Sequence, residues 1–303
     1  MEKQSEELLE KVYALSNEYI TIEAPAKINL TLDITGLLPN GYHTISSVMH
    51  PITLADKVHV GLVDGKKGLR IFCNRPGIPL DERNLCAKAV EKFFKYLGEP
   101  AKDVVIAIEK VIPEQAGLGG GSADAAATLR ALNGLTKARL APVQLEEIGA
   151  SFGADIPFCV RNQCALASGF GEELVNLPSM PPCYLVVIKP PEGSDTAEAF
   201  AKVDRSSENR SHPSAELMIS ALKTKNLQQV ARRLGNIFEE ALQLPSTQKI
   251  KEELKANGAL NALLCGSGTA VFGIFEEESL ARKACDVFLG QKMESFVCKP
   301  YIE

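Results

Sequence analysis

The sequence predicts an α+β fold in two domains. Short β-branched stretches broken by turn residues fill its first third, and helical and strand patterns follow one another after that. A proline-rich run, Leu177-Pro178-Ser179-Met180-Pro181-Pro182, interrupts them and marks a candidate domain boundary. The expected division is an extension over 1–20, an N-terminal domain over 21–180 and a C-terminal domain over 181–303. A chain of 303 residues exceeds the usual single core but is short for three.

Residues 1–20 are acidic and place Leu8, Leu9, Val12 and Leu15 at roughly helical spacing, without the basic start and apolar stretch of a signal peptide. A frayed amphipathic extension is expected there. Strands are expected over 20–34, 52–63 and 69–73, separated by the turn signals Pro39-Asn40-Gly41 and Asp64-Gly65. Residues 84–97 put Leu85, Ala89, Val90, Phe93, Phe94 and Leu97 on one helical face, and 104–108 form an apolar strand. Helices follow over 123–135 and over 142–152, the second with Pro142 in its first turn. A hairpin is expected through 158–175 and a strand over 184–188. Helices over 215–222, 227–242, 248–256 and 280–289, with strands over 262–265, 270–275 and 296–301, complete the pattern.

The net charge of -5 and sequence pI near 5.6 disfavour a nucleic-acid binder, and no apolar run is long enough to span a bilayer. Eight cysteines show no CxxC pair and no metal-ligand spacing, so they are expected to be reduced core residues of a cytoplasmic protein.

The segment that carries chemistry is Pro113-Glu114-Gln115-Ala116-Gly117-Leu118-Gly119-Gly120-Gly121-Ser122-Ala123. It lies between an expected strand and an Ala-rich helix. Glycines there let backbone N–H groups converge on a phosphate, and the helix start adds favourable partial charge. It lacks the Gly-Lys-Ser/Thr of a Walker loop, and Ser122 replaces the third glycine of the dinucleotide fingerprint. Four glycines within five residues outweigh a mere flexible turn. Ser122 is expected to cap the helix through its hydroxyl, with ligation of magnesium as the alternative.

This loop resembles the phosphate loop of the galactokinase, homoserine kinase, mevalonate kinase and phosphomevalonate kinase superfamily. Ala24-Pro25-Ala26-Lys27-Ile28-Asn29-Leu30 is similar to that superfamily's first motif and Gly266-Ser267-Gly268-Thr269-Ala270-Val271-Phe272 to its third. Gly36 followed by Asn40-Gly41-Tyr42-His43, together with Gly153-Ala154-Asp155-Ile156-Pro157-Phe158, resembles the 4-diphosphocytidyl-2-C-methyl-D-erythritol kinase branch. The resemblance runs from about residue 22 to the C-terminus. It implies an N-terminal domain like domain 2 of ribosomal protein S5, a ferredoxin-like C-terminal domain and an active site in the cleft between them. It further implies ATP with Mg2+, and phosphorylation of the 2-hydroxyl of a cytidine-diphosphate methylerythritol in the non-mevalonate isoprenoid pathway. The partners expected are small molecules alone, on a monomer or weak homodimer.

By the same resemblance Asp155 is the catalytic base, with Lys27 beside the carboxylate or the transferring phosphoryl group. Pro157 is expected to hold Ile156 extended and aim Asp155 into the site. Lys27 and Asn29 share one face of their strand, and the resemblance puts Asn29 in the acceptor pocket. It puts Tyr42 and Phe200 on either side of the cytosine ring, His43 at its polar edge and Thr196 on the substrate side. Lys110 and Asn84 match positions beside adenine, though Asn84 is explained almost as well as a helix cap. Gln115 and Ala123 depart from the family's usual residues, and neither change removes a glycine.

Overall fold

The computed structural model describes residues 2–16, 18–39, 41–63, 68–205 and 211–302. Asn40 and the expected Asp64-Gly65 turn lie outside them. The chain forms two compact units, each assembled from three segments. One comprises Met1–Ala26, Ala55–Ile112 and Gly119–Arg161, and the other Lys27–Leu54, Pro113–Leu118 and Asn162–Glu303.

The first unit begins with helix α1 (Glu2–Tyr13), the start of strand β1 (Tyr19–Leu37) and the end of strand β2 (His43–Leu62). It continues with β3 (Arg70–Cys73), α2 (Leu85–Leu97) and β4 (Val104–Glu109). Strand β4 pairs antiparallel to β2, with Val58 opposite Ile108, and parallel to β3, with Ile71 opposite Ile106. The expected frayed extension is instead a packed helix: Leu8 and Val12 are buried against Val105 and Ala107 of β4. Its apolar residues recur at i and i+4, and the face they cover belongs to a strand ninety residues away in sequence. Beyond the end of the helix, Ser16 donates its hydroxyl to Leu62 O at 2.6 Å.

Helices α3 (Gly120–Thr136), α4 (Pro142–Ala150) and α5 (Ile156–Arg161) complete this unit. Ala123, Ala125, Ala126 and Ala127 are buried, and their small side chains allow the close packing of α3 against α2 and α5. The expected hairpin through 158–175 is corrected in its first part, because Phe158–Arg161 are helical. Pro157 is the second residue of α5, where its missing N–H costs nothing. Ile156 is therefore helical and not extended.

In the second unit, hairpin β5 (Ala165–Ser168) and β6 (Glu173–Asn176) extends β2, with Ser47 opposite Ala167. After β7 (Tyr184–Lys189) come α6 (Thr196–Arg205), α7 (Ala215–Lys223), α8 (Leu227–Arg232), β8 (Gly235–Asn236), α9 (Ile237–Leu242) and α10 (Pro245–Ala256). The single helix expected over 227–242 is thus broken. Gly235 and Asn236 pair with Thr31 and Leu32 of β1, and Asn236 caps α9 by accepting the Phe238 N–H at 3.0 Å. Strands β9 (Asn261–Leu264) and β10 (Val271–Phe275), helix α11 (Glu278–Gly290) and strand β11 (Glu294–Cys298) end the chain. The sheet order β11-β7-β10-β9 with these helices is the ferredoxin-like arrangement. Its core joins Val186, Ile188 and Phe275 to Leu254 of α10 and Phe288 of α11.

All eight cysteines are free thiols, seven of them buried, as expected of core residues. Among the described residues, no helix is long and apolar enough to cross a membrane. His50 on β2 is fully buried as the neutral Nδ1–H tautomer, since Nε2 accepts the Met180 N–H at 3.1 Å and Nδ1 donates to Pro51 O at 2.7 Å. Burial lowers its pKa from 6.5 to about 4, partly offset by the Pro51 bond. A depressed histidine pKa contributes stability that is complete above pH 6.5 and is lost as pH falls to 4. The loss should reach about 3 kcal/mol and be largely absent from His50→Gln in denaturant titrations across that range. An equally steep loss in the variant would assign it elsewhere.

Candidate active site

The first unit holds the helical half of the glycine loop. Gly119 has φ 71 and occupies the N-cap of α3, a left-handed conformation that favours glycine, so Ser122 falls inside the first turn and is not the cap. The expectation placed the helix start three residues late because glycine is a poor helix former. Yet Ala123 N–H already donates to Gly119 O at 2.9 Å. Backbone N–H groups of the first turn of a helix lack intrahelical acceptors, which suits that turn to an anion.

Beneath this turn lies a buried ion cluster. Lys110 Nζ donates to Asp56 Oδ2 at 2.5 Å and to Asp124 Oδ2 at 2.8 Å, and all three residues are under 9 % exposed. Asp56 Oδ1 accepts the Val111 and Ile112 N–H groups at 2.5 and 2.8 Å. Burial alone would lower the Lys110 ammonium, but the two carboxylates outweigh it and hold it above its ordinary value. Burial pushes the Asp124 carboxyl up to about 8 despite the opposing pull of Lys110. A Cβ added to Gly120 would stand 3.1 Å from Lys110 Nζ, so the ammonium sits directly under the loop. Asn84 is the N-cap of α2: Oδ1 accepts the Cys86 N–H at 2.9 Å, and Nδ2 donates to Pro79 O at 2.7 Å.

Asp155 is half-buried in the link between α4 and α5, and its carbonyl accepts the Cys159 N–H at 3.1 Å. Two glycines fix that link. A Cβ at Gly149 or Gly153 would come within 2.6 or 2.7 Å of the Ile156 side chain, so Ile156 packs where only glycine leaves room. Helix α5 is held at its other end by Arg161, which donates to both oxygens of Glu146 at 2.9 and 2.5 Å.

The second unit holds the other half of the loop. Pro113 and Glu114 lead into Gln115 and Ala116, whose carbonyls accept the Thr269 and Ala270 N–H groups at 3.4 and 3.2 Å. The third motif is therefore a turn between β9 and β10 that pairs with the glycine loop. Gly117, at φ 74, passes so close that an added Cβ would stand 1.9 Å from Cys265 O. Lys27 is buried on β1; its N–H donates to Leu118 O at 2.9 Å and its ammonium to Asn29 Oδ1 at 3.0 Å. Asn29 donates in turn to Ser47 Oγ at 2.8 Å. The shared polar face expected for Lys27 and Asn29 is present. A Cβ on Gly266 would lie 3.3 Å from Lys27 Nζ, which places the ammonium beside the third motif.

The remaining candidate residues form a second group in this unit. Thr196 and Phe200 lie on α6, and Thr196 Oγ1 hydrogen-bonds Ser267 Oγ of the third motif at 3.0 Å. Phe200 stacks on His43, with ring centroids 4.7 Å apart and 25° between planes, and meets the Phe238 edge at 5.0 Å. His43 Nε2 hydrogen-bonds Asp204 at 2.8 Å. Tyr42 is exposed, with its ring 6.1 Å from that of Phe170. Sequence reasoning missed Asp56, Asp124, Phe170 and Asp204 as site neighbours, whereas Ser267 belongs to the third motif it had singled out. Asp124 alone left a signal, a charge within an otherwise Ala-rich helical run.

Residues 84–163 match the GHMP kinases N terminal domain model and residues 218–294 the GHMP kinases C terminal model. A 4-diphosphocytidyl-2-C-methyl-D-erythritol kinase of Geobacillus kaustophilus is 41% identical over 262 residues, covering 86% of this chain and 89% of the relative. The kinase of the same name from Exiguobacterium sibiricum is 40% identical over 283 residues, covering 92% and 97%. A crystal structure of 4-(cytidine 5'-diphospho)-2C-methyl-D-erythritol kinase superposes with a TM-score of 0.77 at 30% identity, covering 94% of this chain and all of that one. A homoserine kinase from Cytophaga hutchinsonii, 19% identical with a TM-score of 0.73, shares the fold. The chain belongs to the 4-diphosphocytidyl-2-C-methyl-D-erythritol kinase family of the GHMP kinases.

Proposed function

We propose that this chain transfers the γ-phosphoryl group of ATP to the 2-hydroxyl of 4-(cytidine 5'-diphospho)-2-C-methyl-D-erythritol, giving the 2-phosphate and ADP, a step of the non-mevalonate route to isoprenoid precursors. The observation that carries the proposal is the glycine loop at the start of α3, in a chain about 40% identical to kinases of that name. The matched regions, 84–163 and 218–294, fall on either side of residue 180 and support catalytic and C-terminal domains over 21–180 and 181–303.

Phosphoryl transfer requires positioning and charge neutralisation more than covalent chemistry. The loop, Pro113 to Ala123, holds the phosphates on backbone N–H groups, with Asn84 and Lys110 on the nucleotide side. Asp155 takes the proton of the 2-hydroxyl as its oxygen attacks the γ-phosphorus and the bond to the β-phosphate oxygen breaks. Lys27 places positive charge beside the transferring group. Asn29 and Thr196 contact the acceptor, and Tyr42, His43 and Phe200 contact its cytosine. Among the described residues no three His, Cys, Asp or Glu side chains gather to hold a cation. Mg2+ supplied with the nucleotide would neutralise phosphate charge during the transfer.

The test is ADP release from ATP and Mg2+ with three acceptors in turn: cytidine-diphosphate methylerythritol, mevalonate and homoserine. Turnover is expected with the first alone. Turnover confined to another acceptor would overturn the substrate, and none with any acceptor despite ATP binding would make the chain a sensor.

A further inference from the structure

Asp56 and Asp124 have no part in the transfer as described, yet they hold the Lys110 ammonium under the loop. We propose that they are positioning residues for the nucleotide. Acting through Lys110, they fix the segment that enters the glycine loop against the helix that leaves it. The proposal rests on the glycine loop being the nucleotide site.

The geometry is directional. Strand β4 ends at Glu109, and the next three residues are each tied down: Lys110 N–H donates to Asn74 Oδ1 at 2.8 Å, and the Val111 and Ile112 N–H groups donate to Asp56 Oδ1. Asp56 thus orients the backbone that turns into Pro113. Its second oxygen takes Lys110 Nζ, which reaches across to Asp124 in the first turns of α3. The ammonium bridges the two sides of the loop and occupies the space that a side chain at Gly120 would need.

Stability alone is a poor reason to keep such a cluster. Taking charged groups out of water is costly, and apolar side chains of similar volume often hold a fold as well or better. The cluster is also imperfectly satisfied, because Asp124 Oδ1 is buried and has no hydrogen-bond partner among the described residues. What apolar packing could not reproduce is the fixed direction of the Asp56 and Lys110 bonds and a positive charge under an anion-binding turn.

Lys110→Met combined with Asp124→Leu tests this, since it leaves Asp56 its two backbone donors. The variant is expected to stay folded at the assay temperature with a lowered melting temperature, because buried Asp56 loses its ammonium partner and keeps only its backbone donors. By calorimetry it should bind ADP on the order of tenfold more weakly, the scale set by small misplacements of a binding loop. The acceptor KM at saturating ATP should be unchanged. Asp124→Asn, which keeps an oxygen for Lys110 Nζ, should retain most of the affinity that Asp124→Ala loses, and this pair decides the matter if the double variant does not fold. A folded double variant that binds ADP like the parent would overturn the proposal. So would equal losses for Asn and Ala at position 124, or a parallel rise in nucleotide and acceptor KM. Failure of the unmodified protein to bind ADP would instead overturn the nucleotide site itself, and the proposal with it.

Discussion

Asp155→Asn is expected to lower kcat about 10³-fold while ADP binding stays within about twofold, because a positioned general base contributes roughly 10²- to 10⁴-fold to a proton transfer. The amide matches the carboxylate in size and keeps a hydrogen-bonding oxygen, so it removes the basicity and little else. The backbone there has other supports. Ile156 packs against Gly149 and Gly153, Cys159 N–H reaches the Asp155 carbonyl, and the Arg161–Glu146 pair anchors α5. These supports hold the link through groups other than the Asp155 carboxylate, and the variant is expected to stay folded at the assay temperature. Steady-state turnover beside calorimetric ADP binding separates the roles. A variant with full turnover would remove Asp155 from the mechanism, and one that also loses ADP would make the carboxylate a structural or nucleotide contact.

Local composition made much of this protein legible. The glycine loop, the Ala-rich helix behind it and the apolar strand before it are contiguous in sequence, so turn chemistry and helix propensity sufficed to find them. That Lys27 and Asn29 share one face followed from strand alternation, whereas the hydrogen bond between them did not. Less visible was whatever depended on residues far apart. Asp56 lies 54 positions before Lys110, and nothing in its surroundings in the sequence marks it as that lysine's partner. The packing of α1 depends on the Val105 and Ala107 face of β4, a partner that no local pattern around α1 reveals. The break at Gly235-Asn236 reflects pairing with β1, where a tertiary contact overrode a helical pattern. The start of α3 was misplaced for the opposite reason. Propensity counts each glycine against a helix, whereas a tight, positive-φ cap and a close approach to Lys110 are what those glycines provide.

Close approach also governs the second large effect. Gly117→Ala is expected to weaken ADP binding about 100-fold or more and to abolish measurable turnover. A left-handed backbone at φ 74 costs an alanine about 1 kcal/mol, which the fold can absorb. The collision is the larger problem, because the new Cβ would lie 1.9 Å from the Cys265 carbonyl oxygen and 3.1 Å from Gly268 N, both backbone atoms that no rotamer change can move. Loop and turn must therefore separate by about 1 Å, a displacement that can cost on the order of 10²-fold when it misplaces a binding group. Separation also strains the Thr269 and Ala270 N–H bonds to Gln115 and Ala116 and draws the loop from Lys27, whose own N–H is held by Leu118. Gly98→Ala is the control. Its φ of 67 is nearly the same, but no atom lies within 4 Å of the added Cβ, so it should lose only the backbone strain and keep ADP affinity. If Gly117→Ala bound ADP as well as Gly98→Ala does, the contact between glycine loop and third motif would have no part in holding the nucleotide.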